Sequence, residues 1–234
     1  MNKYLTLFFA LALMLTSCNG GDDTSCKGDE CNEETDLITL KETGKEMHYE
    51  GTYKIEATSK HPLTFTSQDE HHATVTSDGT VTAGKIGMTN IIVNNGYDTK
   101  EFRVNVKPIS TLYDEPCIEW GVKRQYVIDI FGEPDTENDT GFAYHDDNDA
   151  VPGRYYFFNL SSGKLVIASV SVNANYEADL NTYLEERYTY YSNTAVMTVY
   201  IDTASKDDAT TKIIKGRNAS DPTFFDIMYI PFND

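Results

Sequence analysis

The side chains able to do chemistry in this 234-residue chain are four cysteines, five histidines and 37 acids, set against 19 basic residues. Metal binding is the first use to consider. His71 and His72 are adjacent, and neighbours on a strand point to opposite faces, so they cannot grip one ion together and read as solvated loop residues. Two acidic loops, Asp135-Glu137-Asp139 and Asp146-Asp147-Asp149, flank a predicted strand from Gly141 to His145. Asp135, Asp139, Asp147 and Asp149 are the groups a calcium ion could take. Calcium wants six to eight oxygens at once, and one strand holds its two ends apart, so Asp-rich turns are the expected outcome and no metal is assigned. For acid–base work the candidate is Glu185-Glu186, which with Arg187 reads as the solvated face of a helix. The sequence has no nucleophile elbow, phosphate-binding glycine loop or His-Glu-x-x-His zinc helix. No catalytic residue and no cofactor are expected.

The cysteines divide by position. Lys3 precedes an apolar run from Leu5 to Leu15 that ends in Leu15-Thr16-Ser17-Cys18. A bilayer-spanning helix needs about 20 apolar residues, so this shorter run has the layout of a signal peptide. Its last four residues resemble the bacterial lipobox, which implies acylation of Cys18 and an anchor in outer-membrane lipid. Asn19-Gly20-Gly21-Asp22-Asp23 resembles the export signal of Bacteroidetes lipoproteins, which implies display at the cell surface. Cys26 and Cys31 are close enough to close a small disulfide loop outside the cytoplasm. Cys117 is left over; beside Ile118 and near Trp120 it is expected to be buried and unreactive.

Rings supply the other candidate chemistry. Tyr155-Tyr156-Phe157-Phe158 falls on a predicted strand, so two rings face a core and two face out. Tyr155 with Phe157, or Tyr156 with Phe158, would join Tyr200 or Tyr229 in a platform for a glycan or an envelope protein. Packing of the strand under loops or a partner domain is the competing use. Asp202-Thr203-Ala204 matches the Bacteroidetes O-glycosylation motif, which implies a sugar on Thr203.

The elements that must position these groups follow from composition and period. A net charge of −18 leaves no dense basic surface for nucleic acid or anionic lipid. Sixteen Tyr and eleven Phe are too many for a disordered acidic chain. Residues 1–17 read as the signal peptide and 18–36 as an acidic tether, which could span about 60 Å when extended. Over 37–107 the period is two, as in Tyr53-Ile55-Ala57, Leu63-Phe65, Ile91-Val93 and Phe102-Val104-Val106, with turns at Asp78-Gly79, Ala83-Gly84 and Asn94-Asn95-Gly96. This describes an all-β sandwich. Ser67-Gln68-Asp69, Ala73-Thr74-Val75, Asp78-Gly79-Thr80-Val81-Thr82-Ala83, Gly87 and Ile91-Ile92-Val93 closely resemble the bacterial immunoglobulin-like family, group two. The resemblance implies a spacer or adhesive stalk.

Pro108 opens the remaining segment, 108–234. A helix carrying Tyr126, Val127, Ile130 and Phe131 on one face ends at Gly132 and Pro134. Strands follow at Gly141 to His145, Arg154 to Asn159 and Lys164 to Val172. A second helix, capped by Asn175 with Glu177 and Asp179 in its first turn, carries the stripe Tyr176, Leu180, Leu184, Tyr188 and Tyr191. Three strands complete the chain, at Ala195 to Asp202, Thr210 to Lys215 and Phe224 to Pro231. The order is a tandem αβββ, and the expected fold is α+β, an antiparallel sheet with two helices on one face. Gly121, Val127, Gly132, Pro134, Arg154-Tyr155-Tyr156-Phe157 and Gly163-Lys164-Leu165 resemble small outer-membrane assembly lipoproteins and secreted β-lactamase inhibitors, although Lys123 stands where those families favour Ser or Thr. Two functions are thus expected. One is a surface lipoprotein that binds or adheres without catalysing, and the alternative is an assembly or inhibitor-like lipoprotein that holds another protein.

Overall fold

Alternation in the N-terminal segment produces nine strands: β1 (Thr39–Leu40), β2 (Gly44–His48), β3 (Thr52–Lys54), β4 (Ala57–Thr58), β5 (Thr64–Ser67), β6 (Ala73–Val75), β7 (Thr80–Ala83), β8 (Gly87–Asn94) and β9 (Thr99–Lys107). These come from a computed structural model that describes residues 36–232. Cys18, Cys26 and Cys31 lie outside the described residues. One sheet runs β2-β9-β8-β5 and a second β3-β7-β6, with β1 and β4 as a separate ribbon. All pairs are antiparallel except β2 with β9. Thr89, Ile91 and Val93 of β8 and Phe102, Val104 and Val106 of β9 are buried at every second position. They pack with Ala73, Val81 and Ala83 from the facing sheet, the arrangement that a two-layer interior requires.

Two glycines in the group-two motif are there because rings need the space. Gly79 has φ +84°, and a Cβ on it would fall within 2.7 Å of the Phe65 ring. Gly87 has φ +146°, and the His72 imidazole lies where its Cβ would be. His71 and His72 therefore do not sit in solvent as expected. Both are half-buried in the turn before β6, and burial holds the His71 pKa below its ordinary value.

The C-terminal segment is one eight-stranded antiparallel sheet with two helices. Its elements are α1 (Arg124–Phe131), β10 (Thr136–Glu137), β11 (Gly141–His145), β12 (Gly153–Phe158), β13 (Leu165–Asn173), α2 (Glu177–Glu185), β14 (Thr189–Asn193), β15 (Met197–Ile201), β16 (Thr211–Arg217) and β17 (Phe224–Pro231). The strand order is β10-β11-β12-β13-β17-β16-β15-β14. Each helix is thus followed by a four-strand meander, and the last strands of the two meanders, β13 and β17, meet in the middle. The repeat is αββββ, not the αβββ expected, because β10 and β14 are short or Tyr-rich and carry little alternation.

Val127 of α1 and Leu180, Tyr183 and Leu184 of α2 belong to the same buried cluster as Tyr156, Val170, Ile227 and Ile213, so both helices cover one face of the sheet. On α1 the covered residues are Val127, Ile128 and Phe131; Tyr126 and Ile130 are exposed. Asn175 does not cap α2: a 3-10 turn, Ala174–Tyr176, leads into the helix and is itself capped by Asn173, whose side chain accepts from Asn175 N–H at 3.0 Å, while Tyr176, the N-cap of α2, makes no side-chain capping bond. The helix stops at Glu185, leaving Tyr191 on β14 and exposed. Residues 36–232 behave as one compact unit, with separate apolar clusters in the sandwich and under the helices.

Candidate functional site: the uncovered sheet face

The cross-strand register decides which rings are accessible. Phe142, Tyr156, Ala168, Tyr229, Ile213 and Tyr200 stand opposite one another in a single row through β11, β12, β13, β17, β16 and β15. This row faces the helices. Tyr156 and Tyr229 are 0 % exposed, Phe158 4 % and Tyr200 6 %, so four of the six rings expected in a ligand platform are core residues that no ligand can reach.

The opposite face carries Ala143, Tyr155, Ser169, Met228, Ile214 and Val199 in one row, with Gly141, Phe157 and Ile167 in the next. Phe157 is 40 % exposed and Tyr155 half-buried. Both rings lie down over glycines. A Cβ on Gly153 would come within 2.6 Å of the Tyr155 hydroxyl, and one on Gly141 within 3.3 Å of the Phe157 ring. A cleft of about 220 Å³ opens beside them, lined by Gly141, Ala143, His145, Tyr155, Phe157 and Glu137. His145 meets Tyr155 edge-on at 6.2 Å. The arrangement offers flat apolar surface with a polar rim, the chemistry of stacking and hydrogen bonding. A larger hollow of about 530 Å³ lies on the outer face of the sandwich, but Gln68, Asp69, Asn90, Glu101 and Arg103 make it polar and it has no ring.

The other candidates are structural in their surroundings. Asp135 is not at the far end of β11 from Asp147 and Asp149. The β10–β11 hairpin brings it back, and its Oδ2 accepts from His145 N–H at 2.7 Å, while Asp139 stays at the hairpin end. Among the described residues no group of three or more His, Cys, Asp or Glu side chains is placed to hold a metal ion. Cys117 is 7 % exposed, burial raises its thiol pKa, and its backbone N–H donates to the Tyr156 hydroxyl at 3.1 Å. Thr203 lies between β15 and β16, its hydroxyl donating to Ser205 O at 2.6 Å.

The Glu185-Glu186-Arg187 run is not a solvated helix face. Glu186 is 0 % exposed. Its carboxylate accepts from Ile109 N–H at 2.6 Å, Ser110 N–H at 3.0 Å and the Arg187 guanidinium at 2.5 Å. Its carbonyl accepts from Ile86 N–H at 2.8 Å, and Lys85 Nζ donates to Glu185 O at 2.5 Å. The C-terminal end of α2, where partial negative charge collects, is thereby held to the β7–β8 loop of the sandwich and to the segment after β9. Local sequence carries no sign of this joint, since both sets of donors come from distant parts of the chain.

Residues 38–106 match one known protein family. They are a bacterial Ig-like domain, group 2. This Ig-like domain covers the sandwich and contributes Lys85 and Ile86 to the Glu186 joint, while Ile109 and Ser110 lie just beyond it. No curated protein matches the chain. Among solved structures, surface layer protein SbsC, domains 1–6, is similar at 16% identity and a TM-score of 0.27, over 76% of this chain and 22% of that one. The chain therefore spans under a quarter of that protein's length. The S-layer protein SbsC, domains 5–6, is similar at 13% identity and a TM-score of 0.27, over 83% of each chain. Values this low carry no argument about fold or function.

Proposed function

We propose that this is a lipid-anchored surface protein of the outer membrane that binds a partner and catalyses nothing. In this reading the Ig-like domain is the stalk, the acidic tether lifts it from the membrane, and the C-terminal sheet is the recognition domain. The observation that carries the proposal is the pairing of Tyr155 and Phe157 on the uncovered face, each ring lying over a glycine beside an open cleft. The Ig-like match and the lipobox resemblance support the stalk and the anchor. The ligand is a glycan or the surface of an envelope protein.

The test is retention of the intact protein and of Phe157→Ala and Tyr155→Ala on a glycan array, with pull-down from envelope extracts alongside. Retention or capture that both substitutions abolish supports the reading. Binding that neither changes would overturn the assignment of this face. Hydrolytic turnover lost on a single carboxylate substitution would overturn the non-enzymatic claim. Protease shaving of whole cells tests display, and full protection would sink it.

A further inference from the structure

Strand β16 and helix α2 hold three reactive side chains together on the covered face of the sheet. Glu177 and Asn181 are four residues apart on α2, so they share one side of the helix. Lys215 stands opposite Ile227 in a row that faces the helices. Its Nζ donates to Asn181 Oδ1 at 2.6 Å and to Glu177 Oε1 at 3.0 Å. Arg217 donates to the other Glu177 oxygen at 3.3 Å, and the Phe225 ring lies 4.4 Å from Nζ. The Lys215 side chain is 11 % exposed, where those of Lys41, Lys45, Lys54, Lys100 and Lys107 are 42–65 % exposed. A surface ion pair needs no such enclosure. An amine, a carboxamide and a carboxylate in contact are the parts of an amide-forming site.

We propose that Lys215 and Asn181 join in an intramolecular isopeptide bond, with Glu177 as the proton carrier. Glu177 takes one proton from the Lys215 ammonium, and the freed Nζ lone pair attacks Asn181 Cγ. Cγ is one bond beyond Oδ1, which sets Nζ near the separation of about 3–3.5 Å that attack requires. The terminal torsion of Asn is soft, so the amide can turn its carbonyl face to the amine. Nζ then passes a second proton to Nδ2, the Cγ–Nδ2 bond breaks, and ammonia leaves, taking up the proton held on Glu177. One C–N bond replaces another, with no oxidant or cofactor. The event happens once per chain and is not turnover. The new bond ties α2 to β16 across 34 residues, narrowing the unfolded ensemble as a disulfide does. This inference does not depend on what the uncovered face binds.

The experiment digests the full chain with trypsin and reads the peptides by tandem mass spectrometry. Cleavage after Lys164, Arg187, Lys212 and Arg217 frees residues 165–187 and, uncut at an acylated Lys215, residues 213–217. The expected product is these two peptides joined, lighter than their sum by one ammonia, about 17 Da. Asn181→Ala and Lys215→Arg are expected to abolish it, and Glu177→Gln to lower its yield about tenfold. Circular dichroism reports whether the variants fold; where one does not, the digest of the unsubstituted chain decides. Complete cleavage at Lys215, with residues 165–187 recovered at full mass, overturns the proposal. A succinimide at Asn181, which also loses ammonia but joins nothing, overturns it too. Undiminished coupling in folded Glu177→Gln overturns the role given to Glu177.

Discussion

The Ig-like domain fills its interior with Val81, Ile91, Val93, Val104 and Val106 around Phe102. The C-terminal sheet puts Tyr113, Tyr156, Tyr183, Tyr188 and Tyr229 in the same role. Branched aliphatic side chains ask only for contact. A buried hydroxyl needs a partner as well, and here the partners come largely from the segment just before α1. Tyr113 and Tyr229 share a hydrogen bond of 2.9 Å, Tyr156 accepts from Cys117 N–H, and Tyr188 donates to Glu115. Tyr183 is the exception: it stacks on Tyr113 at 4.0 Å, and its buried hydroxyl makes no hydrogen bond. The segment before α1 therefore packs into the second core through Leu112, Tyr113, Cys117, Ile118 and Trp120 while also supplying polar partners. Six of the sixteen tyrosines, Tyr113, Tyr156, Tyr183, Tyr188, Tyr200 and Tyr229, are buried in this interior, and Tyr155 with Phe157 is left for the uncovered face.

The contrast can be broken at its boundary first. Glu186→Ala removes one acceptor of two backbone N–H groups and of Arg187, so a loss of about 3–5 kcal/mol is expected, the cost of orphaning buried charged partners. Calorimetry would show it, with the single transition splitting as the two cores uncouple. Ile91→Ala should cost about 3 kcal/mol by leaving a cavity in the Ig-like core, measured by denaturant unfolding. Alkali should attack the other core. Burial raises the pKa of the Tyr113, Tyr188 and Tyr229 hydroxyls well above the ordinary value, so the folded state keeps protons that the unfolded state releases. Stability is intact below about pH 10 and falls as pH rises beyond it. The Ig-like domain, with Tyr49 and Tyr53 only half-buried, should lose less. Ultraviolet absorbance of tyrosinate against circular dichroism would separate the two. Tyr229→Phe leaves the Tyr113 hydroxyl without its partner and should cost about 1–2 kcal/mol. Phe157→Ala, on the uncovered face, should change stability by no more than about 0.5 kcal/mol while abolishing ligand retention.

The same contrast explains what could be read beforehand. In the Ig-like segment the signals are local: Asp78-Gly79 dictates its own turn, and alternation from Ile91 to Val93 dictates its own face. In the C-terminal segment the strands at Gly141–His145 and Phe224–Pro231 were equally legible. Alternation split Tyr155-Phe157 from Tyr156-Phe158 but could not say which pair the helices cover. That is settled by Val127, Leu180 and Leu184, which pack on the Tyr156 side. Tyr200 and Tyr229 joined Tyr156 through a register running across five strands, which no short window contains. Glu186 looked like a solvated acid because its partners, Ile109 and Ser110, precede it by 77 and 76 residues. Tertiary partners, not local pattern, decide such residues.

The meeting of β13 with β17 at the centre of the sheet also sets an order of assembly. The first meander can form as soon as it leaves the ribosome or translocon, but β13 then presents the unpaired backbone groups of Ala168 to Asn173 along a bare edge. That edge has no mate until the last strand, Phe224–Pro231, is delivered. Closure of this long-range pair is slow relative to hairpin formation, and during the wait the half-built sheet is the species most open to misassociation. A chain truncated before β17 would keep the middle of its sheet permanently exposed.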